Sequence, residues 1–392
     1  MELVKITYEV KAILSNTKSG IGYYQKYIIE TMLKLHTNYH FSLDCMSIRN
    51  NDEKYQRLLD LSENKQNYKI NIYHHLPYSI YQLVCLLVPI PFKWFFKDKT
   101  DISHFFNYYL PPGLSGKKVV TIYDMVIKEY PETMKFQTKL MLRLNLRRSI
   151  KKSDCIITIS EFSKREIMKY YDVPEDKIEI VYCGISTDHF KKSTDMDQVS
   201  SVLNKYSIKR NYFLYLGTLE PRKNIENLVK AYDLFLSNND DKAQVPLLVI
   251  AGGKGWAYQS IYDLVKKLKL DNQVIFTGYV SDDEAPILMS NAYAFCYPSL
   301  YEGFGMPPLE AMACGVPVIT SNVASLPEVA GDAAIYVDPY SVDSIESALQ
   351  NIFENKEKRD ELIQLGYERV KLFSWENSCK KLNEIYKNLC AK

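Results

Sequence analysis

Two doubly wound parallel-sheet domains, packed edge to edge around a cleft in an α/β protein, are what this sequence predicts. Three observations carry the expectation. The chain has 392 residues, too long for one ordinary core and suited to two domains of about 150–200 residues. Short apolar strand-like runs alternate with helix-like segments, and the alternation stops and restarts once. Most of those runs end in a glycine or a polar loop, and in an open α/β sheet such loops gather at the ligand-binding edge.

The composition narrows the function. Apolar residues at 46% and charged residues at 24% are ordinary for a globular protein. A formal net charge of +2 gives no global attraction to nucleic acid, so any basic surface is local. Eight cysteines lie scattered without a C-x-x-C pair, several inside apolar runs such as those around Cys155 and Cys296. They read as reduced core residues rather than a disulfide framework or a zinc site. Glu2 and Lys5 put charge at the start of the chain, unlike a signal peptide or membrane anchor, so a cytoplasmic location is expected.

In chain order, a strand is expected at 4–10, then a loop with Gly20 and Gly22, then a helix over 23–35 with Ile28, Ile29, Met32 and Leu33 apolar. Strand, Gly-x-Gly and helix suit a phosphate, but the third glycine and later acidic residue of the dinucleotide fingerprint are absent, which argues against NAD. A strand at 41–46 and a polar surface excursion at 50–66 follow. The run 78–96 is the most hydrophobic, yet Pro89 and Pro91 interrupt it, and it lacks the roughly 20 unbroken apolar residues of a spanning helix. It reads as a buried helix with an aromatic tail, or as a patch that meets a lipid interface or a lipid-linked substrate. Strands at 102–106 and 118–122 come next, the second leading into Tyr123 and Asp124. Asp124 is a ligand-facing residue at a strand end or a helix cap. The helix-like stretch 135–152 carries Lys135, Lys139, Arg143, Arg147, Arg148, Lys151 and Lys152 with no acidic residue, a solvated face or a contact for an anionic membrane. A strand at 155–159, a helix capped by Ser160 and a strand at 178–181 complete the first half.

The polar segment 190–208 reads as the interdomain connection, giving a first domain 1–192 and a second 193–374, with 375–392 as a final amphipathic helix. Strands of the second domain are expected at 212–216, 246–251, 274–277, 291–297, 316–320 and 334–337. The loop after the first of these carries Arg222 and Lys223. The loop before the fifth carries Glu302, Gly303, Phe304, Gly305, Met306, Pro307 and Pro308, and Glu310 follows in the first turn of a helix. Glycines there allow close backbone approach, prolines suit a helix start, and a helix N-terminus suits phosphate. Arg222 and Lys223 beside such a loop would neutralise a diphosphate without a metal, while Glu302 would accept hydrogen bonds from polyol hydroxyls and Glu310 from a diol such as a ribose. The alternatives are a surface Lys/Arg pair and a glutamate that merely favours the helix dipole. A hydrolytic acid/base pair is less apt, because neither carboxylate has an apolar pocket to raise its pKa.

These motifs, with 217–224, 297–310, 330–334 and 373–375, resemble those of the retaining family 4 glycosyltransferases (mannosyl- and rhamnosyl-transferring members above all), whose fold is GT-B. The resemblance spans nearly the whole chain and is strongest over 210–340. It implies that the second domain binds a nucleotide-sugar, GDP-mannose being favoured. Glu302 would hold sugar hydroxyls, the backbone of Gly303–Met306 would contact sugar and phosphate, Arg222 and Lys223 the diphosphate, and Glu310 the ribose. Tyr279 and Val280 would pack on the base, and Gly20 and Gly22 would close over the phosphates. The first domain would hold the acceptor, a glycan or lipid-linked glycan of cell-envelope polysaccharide, and the last helix would cross back to it. Transfer would retain configuration and need neither metal nor other cofactor. Two positions depart from the family pattern. Tyr123 stands where many members have a histidine near the reacting sugar, which draws attention to Asp124. Thr218 replaces an arginine found in some members, leaving more phosphate charge to Arg222. Other GT-B activities, a nucleotide-sugar epimerase or a phosphorylase, and an inactive nucleotide-sugar-binding protein are the alternatives. At a membrane, contact would run through 78–96 and 135–152, at the inner face.

Overall fold

The computed structural model describes residues 4–14, 20–36, 38–47, 52–61, 67–97, 99–134, 136–241, 244–255 and 257–391. The chain divides into two compact units, Met1–Gly184 with Trp375–Lys392, and Ile185–Ser374.

The first unit runs β1 (Val4–Glu9), α1 (Gly20–Leu35), β2 (Tyr39–Met46), α2 (Asp52–Leu59), β3 (Tyr68–Tyr73), α3 (Tyr78–Leu87), β4 (Ile102–Phe105), β5 (Lys117–Thr121), α4 (Val126–Glu129), α5 (Phe136–Lys152), β6 (Cys155–Thr158), α6 (Glu161–Tyr171) and β7 (Ile178–Ile180). Its seven strands are all parallel, in the order β3-β2-β1-β4-β5-β6-β7. The second unit holds α7 (Met196–Lys205), β8 (Tyr212–Leu216), α8 (Ile225–Ser237), β9 (Leu247–Ala251), α9 (Gln259–Lys267), β10 (Val274–Gly278), α10 (Ala285–Ser290), β11 (Ala294–Tyr297), α11 (Met306–Ala313), β12 (Val318–Ser321), α12 (Leu326–Ala330), β13 (Ala334–Val337), α13 (Val342–Glu354) and α14 (Lys356–Val370). Six parallel strands run in the order β10-β9-β8-β11-β12-β13. Each order reverses beside its first strand, between β1 and β4 and between β8 and β11, and ligands bind open sheets at that reversal.

The strand sequences explain the sheets. Leu247–Ala251 is apolar throughout and buried at every position, as a parallel strand covered on both faces requires. Helix α8 buries Ile225, Leu228, Val229, Tyr232, Phe235 and Leu236, one helical stripe, against α13. The helix α15 (Trp375–Ala391) buries Trp375, Cys379, Leu382, Ile385 and Tyr386 in the first unit, against α1. Trp375 stacks on Tyr27 with ring centroids 5.2 Å apart. Gly184 lies so close to this crossing that a Cβ there would sit 2.4 Å from the Trp375 nitrogen. Deeper in, the ring of fully buried His104 bridges the Tyr386 hydroxyl at 2.6 Å and Thr121 Oγ1 at 2.8 Å.

Four expectations are corrected. Segment 190–208 is not the connection: it contains α7, capped by Asp195 accepting from the Asp197 and Gln198 amides, and the chain passes between units at Gly184–Ile185. An isolated ten-residue helix of mixed polarity gives only a faint apolar period, which is why it read as a linker. The polar excursion contains α2, and strand β3 follows it, unmarked in the sequence because Lys69 and Asn71 alternate along an edge of the sheet. Helix α1 starts at Gly20, so Gly20 and Gly22 form its first turn rather than a preceding loop. Finally, 78–96 is not simply buried: Tyr78, Tyr81 and Cys85 face inward while Ile80, Leu83, Leu87, Val88 and Trp94 are exposed.

Seven of the eight cysteines are buried thiols and Cys390 is exposed. No described helix is long and apolar enough to cross a membrane.

Candidate functional site

The loop after β8 turns through a short 3-10 helix, Pro221–Lys223, and Asn224 ends it in the left-handed conformation at φ 59°. The Asn224 side-chain Nδ2 donates to the carbonyls of Pro298 (3.0 Å) and Pro339 (2.6 Å), and the Leu300 backbone amide donates to the Arg222 carbonyl (2.9 Å). The loops after β8 and β11 are thereby laced together at the reversal point of the sheet.

This lacing brings Arg222, Lys223 and Glu302 into one cluster. Lys223 Nζ donates to Glu302 Oε1 and to the Tyr297 hydroxyl, each at 2.6 Å, and the Tyr297 hydroxyl donates to the same carboxylate at 3.0 Å. Arg222 reaches Glu302 Oε2 at 3.1 Å and Glu220 Oε1 at 2.7 Å, and also donates to the Tyr301 carbonyl. Burial alone would raise the Glu302 carboxyl; the Arg222 and Lys223 charges outweigh it and bring it down to about 2. Burial lowers Lys223, with Glu302 opposing the shift. The sequence led us to expect two cations waiting for phosphate. The structure instead pairs both with carboxylates, so the cluster is charge-balanced.

The following loop is shaped by backbone. Gly305 has φ 104°, and a Cβ there would meet a Leu326 methyl at 2.7 Å. Ser325, at the start of α12, does not cap its own helix; its hydroxyl lies 2.8 Å from the Glu302 carbonyl and 2.7 Å from that of Phe304. Gly303, Phe304 and Gly305 are buried in the loop, and α11 begins at Met306 with Pro307 in its first turn. Glu310 is half-buried in α11, and burial, reinforced by Asp282, raises its carboxyl to about 8. Beyond β10, Tyr279 is 68% exposed while Val280 is buried. The loop after β9 approaches that after β8 so closely that a Cβ on Gly252, at φ 144°, would lie 1.9 Å from the Gly217 carbonyl oxygen.

In the first unit, Tyr123 is buried and its hydroxyl has no hydrogen-bond partner among the described residues. Asp124 accepts from the Tyr108 hydroxyl (3.1 Å) and from the Val126 amide (3.2 Å), so it is both a helix-start cap and a partner to a second tyrosine. Sequence reasoning missed Glu220, Tyr297 and Ser325 as parts of the site. Tyr297 and Glu220 lay within quoted motifs but signalled only strand and loop. Ser325 had a signal, a serine two residues before a proline at a helix start, which suggested a cap rather than a strap across to another loop.

Comparison with known proteins gives the family and the fold. The family described as Glycosyl transferases group 1 matches residues 201–369, and Glycosyltransferase Family 4 matches residues 55–189. O-antigen chain mannosyltransferase B of Escherichia coli is 37% identical over 306 residues, covering 78% of this chain and 79% of that protein. The O-antigen chain mannosyltransferase RfbU of Salmonella typhimurium is 33% identical over 239 residues, covering 61% and 62%. Among solved structures, a sucrose-phosphate synthase from Thermosynechococcus elongatus superposes with TM-score 0.77 at 20% identity, covering 100% of both chains. WaaG, described as a glycosyltransferase involved in lipopolysaccharide biosynthesis, gives TM-score 0.66 at 16% identity, covering 98% of this chain and 99% of its own. Those superpositions establish the fold and the sequence matches the lineage: this chain belongs to glycosyltransferase family 4 and is a hexosyltransferase of the GT-B fold.

Proposed function

We propose that the enzyme transfers mannose, with retention of configuration and without a metal, from GDP-mannose to a glycan or lipid-linked glycan during cell-envelope polysaccharide synthesis. The observation that carries the reading is the charge-balanced cluster of Arg222, Lys223, Glu220 and Glu302 at the reversal point of the second sheet. A donor diphosphate brings two negative charges that draw Arg222 and Lys223, which loosens their hold on Glu302 and frees its carboxylate for sugar hydroxyls. Backbone N–H groups of Gly303–Met306, leading into α11, add to the anion site. The two cations then stabilise the leaving diphosphate in place of a metal. Glu310 receives the ribose and Tyr279 with Val280 the base. Gly20 and Gly22 serve the phosphates, and Tyr123 and Asp124 the reacting sugar. The names of the sequence relatives support mannose as the sugar and an envelope polysaccharide as the product.

The test is a thermal-shift panel of GDP-, UDP-, dTDP- and ADP-sugars followed by turnover with the stabilising donor. GDP-mannose should stabilise most, by about 2.7 kcal/mol at a hundred times its Kd. Activity should persist in EDTA and the product should be the α-anomer. Stabilisation by a UDP-sugar alone, or an inverted product, rejects the corresponding part of the reading.

The same reading places the enzyme at the inner face of the membrane. Helices α3 and α5 pack together, with Leu83, Leu87, Trp94, Phe136, Leu140 and Leu144 exposed among the basic residues of α5. Lys135 lies outside the described residues. Apolar side chains ringed by cations suit an anionic bilayer. Binding to phosphatidylglycerol vesicles should weaken with salt and with neutralisation of Arg143 and Arg147.

A further inference from the structure

We propose that Phe373 is a positioning residue for sugar transfer: its ring seats Phe304 and so sets the shape of the Gly303–Gly305 loop. This rests on the reading of that loop as part of the donor site.

The loop has one side-chain anchor. Phe304 stands between Gly303 and Gly305, neither of which has a side chain to hold the backbone. Phe304 is buried, and its ring meets that of Phe373, also buried, with centroids 5.6 Å apart and planes at 79°. Aromatic pairs prefer this edge-to-face geometry. Residues 373–375 are also a motif to which the chemistry of transfer gives no role.

Phe373 is itself held on several sides. Its amide donates to the Val370 carbonyl at 3.0 Å, and its carbonyl accepts from the Ile185 amide at 2.9 Å. Ile185 is the first residue of the second unit and Phe373 the last but one, so this bond fastens the two ends of that unit together. The Arg369 guanidinium lies 5.2 Å from the centre of the Phe373 ring. The same guanidinium donates to the Val329 carbonyl at 2.8 Å and to the Glu328 carbonyl, both in the last turn of α12. A Cβ on Gly331, at φ 55°, would lie 3.0 Å from Arg369 Cζ, so the backbone closes tightly on the guanidinium.

These contacts make a closed circuit within the second unit. Ser325, at the start of α12, bonds the Glu302 and Phe304 carbonyls. Arg369 ties the end of α12 to Phe373, and Phe373 meets Phe304 again. Phe304 is thus held by its carbonyl from one end of α12 and by its ring through the other. Any apolar neighbour would bury Phe304; a ring fixed by a hydrogen-bonded cation and by both ends of the unit also specifies where Phe304 sits. Without that ring the Ser325 straps remain, but the flanking glycines are free to turn. The sugar then shifts against Glu302 while Arg222, Lys223 and the base site still hold the nucleotide. A misplacement of about 1 Å costs on the order of a hundredfold in rate.

The experiment compares full-length Phe373→Leu, Phe304→Leu and the double variant with Phe235→Leu, a core change on α8 where Phe235 packs on Phe213 and Phe353. Hydrolysis of GDP-mannose, melting temperature and amide hydrogen exchange are measured. In Phe373→Leu, kcat should fall about tenfold or more while KM stays within about threefold. The double variant should be no slower than the slower single variant, because both changes break one contact. Without ligand, exchange over residues 302–306 should quicken about tenfold in Phe373→Leu while α8 is unchanged. Phe235→Leu should melt lower yet keep kcat and loop exchange within about twofold. A Phe373→Leu enzyme that melts lower but keeps kcat and loop exchange within twofold shows packing alone and overturns the proposal. So do losses that multiply in the double variant, or an equal loss of kcat in Phe235→Leu. If Phe373→Leu does not fold, the volume-conserving Phe373→Met is judged in its place; failure of both to fold assigns the ring to stability and also overturns the proposal. Wild-type enzyme that does not hydrolyse GDP-mannose rejects the donor assignment instead, and the ligand-free exchange of residues 302–306 still decides the role of Phe373.

Discussion

Glu302 illustrates how one side chain acquires its role from its neighbours. A buried carboxylate alone is expensive, and here two cations and a phenol hold it ionised. Its carboxyl stands at about 2 in the folded chain against an ordinary 4.5. Depression of a folded-state pKa gives stability that is present above about pH 4.5 and lost as pH falls toward 2, worth on the order of 3 kcal/mol. Glu302→Gln should therefore flatten the acid limb of a stability-versus-pH curve. It should also destabilise the enzyme at pH 7 by about 3–5 kcal/mol, because Lys223 is left buried without its counter-charge. Glu310 has the opposite sign. Its carboxyl is raised from 4.5 to about 8, so its contribution is most favourable below pH 4.5 and worsens as pH rises to 8. Glu310→Gln should remove that decline, read as a smaller loss of melting temperature between pH 5 and pH 8. Persistence of the slope in the variant would mean that another group carries it.

At the scale of elements, the site depends on straps between loops. The Ser325 hydroxyl serves two carbonyls of the Glu302–Phe304 segment while α12 itself goes without a side-chain cap. Ser325→Ala should cost about 1–3 kcal/mol, the penalty for buried carbonyls left unbonded. It should also weaken donor binding, whereas Ser325→Thr should keep more of both; a fully stable Ser325→Ala variant would show the strap to be dispensable. Gly252 is a second such constraint. Its φ of 144° and the 1.9 Å approach of the Gly217 carbonyl exclude any Cβ, so Gly252→Ala should spread the loops after β8 and β9 and destabilise the second unit. Calorimetry with and without GDP would read both effects.

At the scale of the whole molecule, the last helix belongs to the first unit although nearly 200 residues of the second unit intervene. It brings Tyr386 to His104, whose ring burial lowers to a pKa near 3, so the imidazole is neutral and takes part as a hydrogen-bonding link with Thr121. Truncation after Ser374 strips Trp375, Cys379, Leu382, Ile385 and Tyr386 from the first core. Its unfolding transition should fall well below that of the second unit, whereas the intact chain should melt with the two closer together. Tyr386→Phe should move the same transition by less, since it removes one hydrogen bond and leaves the packing. Unchanged melting of the first unit after truncation would contradict the role of α15.

The sequence by itself determined the two parallel sheets, because covered parallel strands are nearly continuous apolar runs and their glycine-rich ends are conspicuous. It also determined the second-domain motif, because Glu302, Gly303, Gly305, Pro307 and Glu310 lie within nine residues of one another. Strand β3 and helix α7 were not legible, since an edge strand and a short mixed helix bury too little to leave a period. Only the tertiary structure decided what joins residues far apart in the chain. Arg222 and Glu302 are 80 positions apart and meet because β8 and β11 are neighbours in the sheet. Tyr297 and Ser325 acquire their partners in the same way. Local pattern reports burial and turn chemistry; which side chains face one another depends on strand order, which no local pattern encodes.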